Sequence, residues 1–312
     1  MKNGKLLILA ACAFLLGASP VFASGKRETL TIGLMPAVNS IPLIVAEYNG
    51  YFEEEGVSVS LVMFKSQMYR ETALQTGEID GTISDMINAA NAVAQGFPLA
   101  VTSISDGDFV LMTAPGSPIR TVADWNAAPG MIPTGLLENS IVYYVTERML
   151  EQSGGDPRKV ELVSTLILTA RLEMLLAGQI PAACLPEPVA TVAEQAGAHR
   201  VCDTSVLPGT PGVILFSRDS MEKKAREIAA FYRAYNRAVA DLNAGYDRYR
   251  DVIIQKGEFP PSIRDTFSLP LFSVARVPTR EETDDVVAWM VGKGLLVKAV
   301  SYSDIVDDRF VP

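Results

Sequence analysis

Histidine is nearly absent from this 312-residue chain: His199 is the only one. Ser-His-Asp and Cys-His catalysis need a positioned imidazole, and His-rich metal sites need several. A single His after Gly197-Ala198, in what reads as a surface turn, supplies neither. Cysteine is equally scarce, with Cys12, Cys184 and Cys202 only. Cys184 and Cys202 lack the spacing of metal ligands. Also missing are a Gly-x-Gly-x-x-Gly turn, a phosphate-binding lysine loop and a Gly-x-Ser-x-Gly elbow. These absences exclude dinucleotide enzymes, P-loop NTPases and α/β-hydrolases, and nothing calls for a cofactor or a metal. Asp106 and Asp108 form a carboxylate pair, but such pairs are common in an acidic chain. Basic charge is short as well: 27 Lys and Arg stand against 36 Asp and Glu, a formal charge of −9. Nucleic acid and anionic lipid both want a basic footprint, so neither is expected as a partner.

What is present begins with an export signal. Lys2 and Lys5 precede an apolar stretch, Leu6 to Leu16, too short to span a bilayer. Val21-Phe22-Ala23 places small residues where a signal peptidase cuts, so residues 1–23 are read as a signal peptide. Its removal takes the formal charge from −9 to −11. Leu9-Ala10-Ala11-Cys12 offers a rival lipobox, which would retain Cys12 as a lipid anchor. Either route exports the protein and predicts a periplasmic location. No later apolar run approaches the ~20 residues of a membrane helix. Export makes a Cys184–Cys202 disulfide chemically accessible. Their short apolar, strand-like surroundings favour buried free thiols.

The chain then says nearly the same thing twice. Arg70-x-x-Ala73-Leu74-x-x-Gly77-x-Ile79-x-Gly81 recurs 101 residues later as Arg171-x-x-Met174-Leu175-x-x-Gly178-x-Ile180-x-Ala182. Val59, Leu61 and Val62 sit at the same offset from Val160, Leu162 and Val163. Asn39-Ser40-Ile41 recurs as Asn139-Ser140-Ile141. A period this long is no solenoid. It predicts two similar α/β lobes, each a parallel sheet with helices on its faces. Crossings are expected near 110–118 and 212–219. That gives a first lobe of 24–112 and 217–312 and a second of 113–216. Apolar positions such as Ile228, Phe231, Tyr232 and Tyr235 read as the core face of a long helix returning to the first lobe.

In open α/β sheets, ligands bind beyond the carboxyl ends of strands, against helix N-termini. Those loops supply the candidate ligand-binding residues. Pro36, Asn39, Ser40, Phe64, Lys65, Tyr69, Ser84, Asp85 and Asp106 come from the first lobe. Asn139, Ser140, Tyr143 and Glu187 come from the second. Glu187 lies between Pro186 and Pro188, which fix its backbone and aim its carboxylate. Arg70 and Arg171, inside helices, are read as braces within each lobe.

Leu34-x-Pro36, Pro42-Leu43-x-Val45-Ala46, Gly50-Tyr51-Phe52-Glu53-Glu54-Glu55-Gly56-Val57 and Gly77-Glu78-Ile79-Asp80 resemble the periplasmic substrate-binding proteins of ABC importers. Glu187-Pro188 with Ala190 resembles the Glu-Pro segment of the group that binds alkanesulfonates, nitrate, taurine and thiamine-pyrimidine precursors. The resemblance spans about residues 29–220. It implies a type II periplasmic-binding fold, α/β, with a two-crossing hinge. It implies a monomer that captures a small molecule, delivers it to an ABC transporter permease and catalyses nothing. Few cations among the candidate loops favour a neutral or cationic heterocycle such as a pyrimidine, hydrogen-bonded by Glu187. A small anion such as an alkanesulfonate, taurine or nitrate is the alternative. The fungal pyrimidine synthases share the fold, but their Cys-Cys-Cys-Phe-Cys run is missing here.

Overall fold

The computed structural model describes residues 28–311; the signal peptide and the Cys12 anchor expected from the sequence lie outside them. The first lobe opens with β1 (Thr29–Leu34), α1 (Ile41–Tyr48), α2 (Tyr51–Glu54), β2 (Ser58–Met63), α3 (Gln67–Gln75), β3 (Gly81–Asp85), α4 (Met86–Ala94) and β4 (Leu99–Ile104). The second holds β5 (Phe109–Thr113), α5 (Val122–Ala127), β6 (Ile132–Leu136), α6 (Ile141–Gln152), β7 (Val160–Ser164), α7 (Leu168–Leu176), β8 (Ala182–Pro186), α8 (Val189–Gln195) and β9 (His199–Asp203). The chain returns through β10 (Gly212–Ser217), α9 (Arg218–Lys223), α10 (Ala225–Ala244), α11 (Arg250–Lys256), α12 (Arg280–Gly292) and α13 (Tyr302–Ile305).

Two five-stranded sheets result, ordered β2-β1-β3-β10-β4 and β7-β6-β8-β5-β9. The repeat is topological as well as sequential. β1 runs parallel to β2 and β3, as β6 does to β7 and β8. In each sheet the fourth strand is antiparallel and is the one that has just crossed from the other lobe.

That detail corrects the expected boundaries. β5 pairs with β8 and β9, so it belongs to the second lobe although it was assigned to the first. β10 pairs with β3 and β4, so it belongs to the first lobe although it was assigned mostly to the second. The crossings therefore fall at 105–108 and 204–211. They run side by side: Ser105 N–H donates to Gly212 O at 2.8 Å, and Gly107 N–H to Thr210 Oγ1 at 3.2 Å. His199 starts edge strand β9 and does not lie in a turn. The polar stretch after Gly50 also folds, as α2, with Phe52 buried beneath it.

Cys184 on β8 and Cys202 on β9 are free thiols and both lie opposite Leu111 of β5. A whole strand separates them. Two strand spacings, roughly 9–10 Å, exceed the reach of a disulfide.

Ile228, Phe231, Tyr232 and Tyr235 are buried, on the face of α10 that packs against α1 and the first sheet. α12 behaves differently. Val286 and Met290 bury against α4 of the first lobe, while Trp289 reaches α6 of the second. Trp289 Nε1 donates to Glu147 Oε2 at 2.7 Å, Lys293 Nζ to Glu147 Oε1 at 2.6 Å, and Arg148 to Asp285 at 2.8 Å. The C-terminal segment thus returns to the first lobe, as expected, and also straps it to the second.

Candidate ligand-binding site

The carboxyl ends of β1, β2 and β3 face those of β6, β7 and β8 across one cavity of about 140 Å³. Its lining includes Met35, Pro36, Asn39, Lys65, Gln67, Ser84 and Asp85 from one lobe. Phe109, Leu137, Ser140, Ile141, Leu166 and Pro186 come from the other. Arg70 and Arg171 line it too.

Asp85 ends β3 and caps α4, accepting from Asn88 N–H at 2.9 Å and Asn88 Nδ2 at 2.7 Å. Burial pushes its carboxyl up to about 6. Ser84 donates to Glu71 Oε1 at 3.0 Å and accepts from Arg70 Nη2 at 3.1 Å. Arg70 also meets Glu71 at 2.7 Å, but its buried Nε has no partner.

Arg171 occupies the same place in the second lobe. Its Nε donates to Thr165 Oγ1 at 3.0 Å, Nη2 to Thr165 O at 2.8 Å and Nη1 to Cys184 O at 3.0 Å. It is 4% exposed, and no carboxylate pairs with it among the described residues. Burial lowers its pKa from the ordinary guanidinium value. Both arginine stems fit against a glycine. A Cβ on Gly33 would stand 3.2 Å from Arg70 Cγ and 2.6 Å from Ile79 Cδ1; one on Gly135 would meet Arg171 and Ile180 at the same distances.

Helix ends complete the site. Ser140 precedes α6 but does not cap it: its hydroxyl donates back to Leu137 O at 2.6 Å. The first-turn N–H groups at Ile141 and Val142 have no intrahelical partner, and both residues line the cavity.

Of the expected contacts, Pro36, Asn39, Lys65, Ser84, Asp85 and Ser140 line this cavity. The others lie elsewhere. Ser40 is buried beneath it, donating to Met35 O at 2.7 Å, and its N–H is taken by Ala37 O, not left facing the cleft. Phe64 packs at the edge of the core shared by the lobes. Tyr69 is 65% exposed, and Asn139 is exposed as well. Tyr143 packs edge-on against Trp289, with ring centroids 5.4 Å apart. Asp106 ties the first crossing to the C-terminal segment through Ser273 N–H at 2.6 Å.

Glu187 requires the largest revision. Its carboxylate accepts from Arg200 and from Thr191 N–H at 3.1 Å and Oγ1 at 2.8 Å. It lines a separate open depression with Asp108 and Arg200. The carboxylate is held by an ion pair within its own lobe. Arg70 and Arg171 brace their own lobes as expected, and both also line the cavity, which the sequence reading did not anticipate. Their signal was visible: the same residue opens the repeat unit in both lobes, just past a strand's carboxyl end.

Matched sheets, adjoining crossings and a cavity walled by both halves define a two-lobed protein with the type II periplasmic-binding fold. The chain belongs to the NMT1/THI5-like family, whose profile matches residues 37–245. It is 27% identical over 258 residues to a Brachyspira hyodysenteriae protein whose name places it among ABC transporter periplasmic binding proteins. That match covers 76% of this chain and 73% of the relative. A shorter match, 28% identical over 87 residues, covers 28% of this chain and 26% of the Saccharomyces cerevisiae 4-amino-5-hydroxymethyl-2-methylpyrimidine phosphate synthase THI11. Among solved structures, the ligand-binding component of an ABC-type import system from Staphylococcus aureus has a TM-score of 0.78 at 16% identity, covering 91% of this chain and 98% of that one. The alkanesulfonate-binding protein SsuA of Xanthomonas axonopodis pv. citri, bound to MOPS, has a TM-score of 0.76 at 19% identity over 91% and 100%. At such identities the structural likeness speaks for the fold.

Proposed function

We propose that this chain is the exported solute-binding component of an ABC importer. As a monomer it captures a small organic molecule between its lobes, closes on it and presents the closed form to a membrane permease. The observation that carries this reading is the cavity built from the strand ends of both sheets. A ligand that touches both walls stabilises the closed arrangement over the open one, and that difference in affinity is the whole mechanism. It needs no bond to be made or broken.

The ligand is either a pyrimidine-like ring or a small organic anion. The ring reading relied on Glu187, whose carboxylate is already taken by Arg200 and Thr191. The relatives point both ways, to a pyrimidine synthase and to a sulfonate binder.

The test begins with protein purified from the periplasm. Denaturing it and identifying the released small molecule by mass spectrometry should yield one ligand. Returning that ligand to stripped protein should raise the melting temperature and shrink the radius of gyration. An unchanged radius at saturation rejects capture between closing lobes.

A further inference from the structure

We infer that the contact between α12 and α6 is a latch that closes with the lobes, so that side chains outside the cavity help to set ligand affinity. This rests on the proposed capture between closing lobes and goes on to say what holds the closed form. α12 carries two working faces. Val286 and Met290 bury against α4 of the first lobe. Asp285, Trp289 and Lys293, at four-residue spacing, present a neighbouring face to α6 of the second lobe. There Tyr144 donates to Asp285 and Arg148 Nη2 donates to it at 2.8 Å. Trp289 Nε1 and Lys293 Nζ share the Glu147 carboxylate. Lys293 Nζ also stands 4.8 Å from the centre of the Tyr143 ring and 3.1 Å from its hydroxyl. The Trp289 ring meets Tyr143 and Tyr144 edge to face, each at 5.4 Å.

The two faces differ in kind. The one on α4 is aliphatic and loses its stabilisation if water enters. The one on α6 is made of ion pairs, hydrogen bonds and amphipathic rings. Interfaces within one chain that come apart are more polar than fixed ones. Tyrosine and tryptophan carry an apolar body and a polar tip, which suits them to a surface that is alternately covered and wet. The charged partners reach solvent readily: the side chain of Asp285 is 49% exposed and that of Lys293 33%. α12 is therefore fixed to the first lobe and held to the second by a contact that can open.

None of these latch residues lines the cavity. α6 nevertheless begins there, with Ile141 and Val142 in the wall, and Tyr144 follows within a turn. In this structure both lobes wall the cavity and the latch is made at the same time. Parting the lobes carries α6 away from α4, on which α12 rests, and draws the latch open. The affinity observed is that of the closed form reduced by the fraction of molecules already in it. A contact made in the closed form alone raises affinity without touching the ligand. Its free energy divides in two: ligand-free molecules that are already latched gain stability, and the remainder appears as tighter binding.

The probe is the small molecule released by denaturing protein purified from the periplasm, returned to the stripped full mature chain. Trp289→Phe and Lys293→Met should each weaken its binding ~3- to 10-fold by calorimetry. One charged hydrogen bond sets the upper figure, and molecules closed before binding reduce it. Asp285→Ala, at the exposed edge of the contact, carries the same test should either of those fail to fold. Thr102→Val is the control. It removes a buried 2.6 Å hydrogen bond to Tyr232 inside the first lobe, so it should lower the melting temperature and leave affinity intact. Trp289 also reports directly. The difference between wild type and Trp289→Phe isolates its fluorescence from that of Trp125, the other tryptophan, and acrylamide should quench it less once the molecule is bound. Latch variants that bind as tightly as wild type, or more tightly, overturn the inference. So do quenching that does not fall on binding and a Thr102→Val protein that loses as much affinity as the latch variants. If the molecule leaves the radius of gyration of wild type unchanged, capture between closing lobes falls and the latch with it. If it compacts the protein while the latch variants keep full affinity, the latch alone falls.

Discussion

Asp85 shows how one residue serves structure at a cost the structure itself displays. It is an N-cap, and its carboxyl is pushed up to about 6 by burial. The unfolded value is 3.8. Between those values the native state holds a proton that the unfolded chain releases, so this residue's contribution to stability falls as pH rises from about 4 to 6. Asparagine keeps the cap and removes the charge. Asp85→Asn should therefore match wild type near pH 4 and exceed it above about pH 6.5, by at most about 3 kcal/mol. Urea denaturation at a series of pH values measures the difference, and a variant less stable at pH 7 contradicts the account. Residue identity was legible here because a polar residue between strand and helix has few roles. Glu187 was misread because its partner, Arg200, comes from a strand whose register the sequence does not display. Cys184 and Cys202 teach the same lesson: only the placement of β5 between them separates the thiols. Alkylating unreduced, denatured mature protein should label both; a protein that resists labelling until reduced would mean that they are linked.

Elements with a strong period were visible in the sequence, and their neighbours were not. The apolar face of α10 predicted its own burial. Nothing in the spacing of α12 says that Trp289 and Lys293 converge on Glu147 of another lobe. That carboxylate is 8% exposed, so its partners matter more than those of a surface pair. Trp289→Phe keeps the ring against Tyr143 and Tyr144 and removes one donor. Lys293→Met removes the other. Each should cost about 1–3 kcal/mol, as expected when a buried charged group loses a hydrogen bond. Because both act on one carboxylate, their effects should not add. A double-mutant cycle by chemical denaturation checks this; strictly additive losses would show that the two contacts are independent.

At the scale of the molecule, the repeat announced two lobes and the strand-end rule announced the cavity, since both follow from local pattern. The hinge was placed a strand away from its true position. An apolar run such as Phe109–Thr113 fits either sheet, and only hydrogen-bond register decides which one it joins. The two crossings then have to run close together, and Gly212 marks where. A Cβ there would lie 2.2 Å from Ser105 O, which is main chain and has no side-chain rotation to yield. Gly212→Ala must push the crossings apart or break the 2.8 Å bond between Ser105 N–H and Gly212 O. Gly209, three residues upstream within the crossing that leads to it, has nothing within 4 Å of such a Cβ. Gly209→Ala should therefore stay within about 0.5 kcal/mol of wild type, like other substitutions that touch nothing. Gly212→Ala should lose about 2 kcal/mol or more, as overpacking against fixed atoms does. If the crossings are the pivot of closure, it should also change the compaction that ligand produces in small-angle scattering, while Gly209→Ala leaves that compaction intact. Equal stability and equal compaction in the two variants would mean that the contact between the crossings restrains neither folding nor movement.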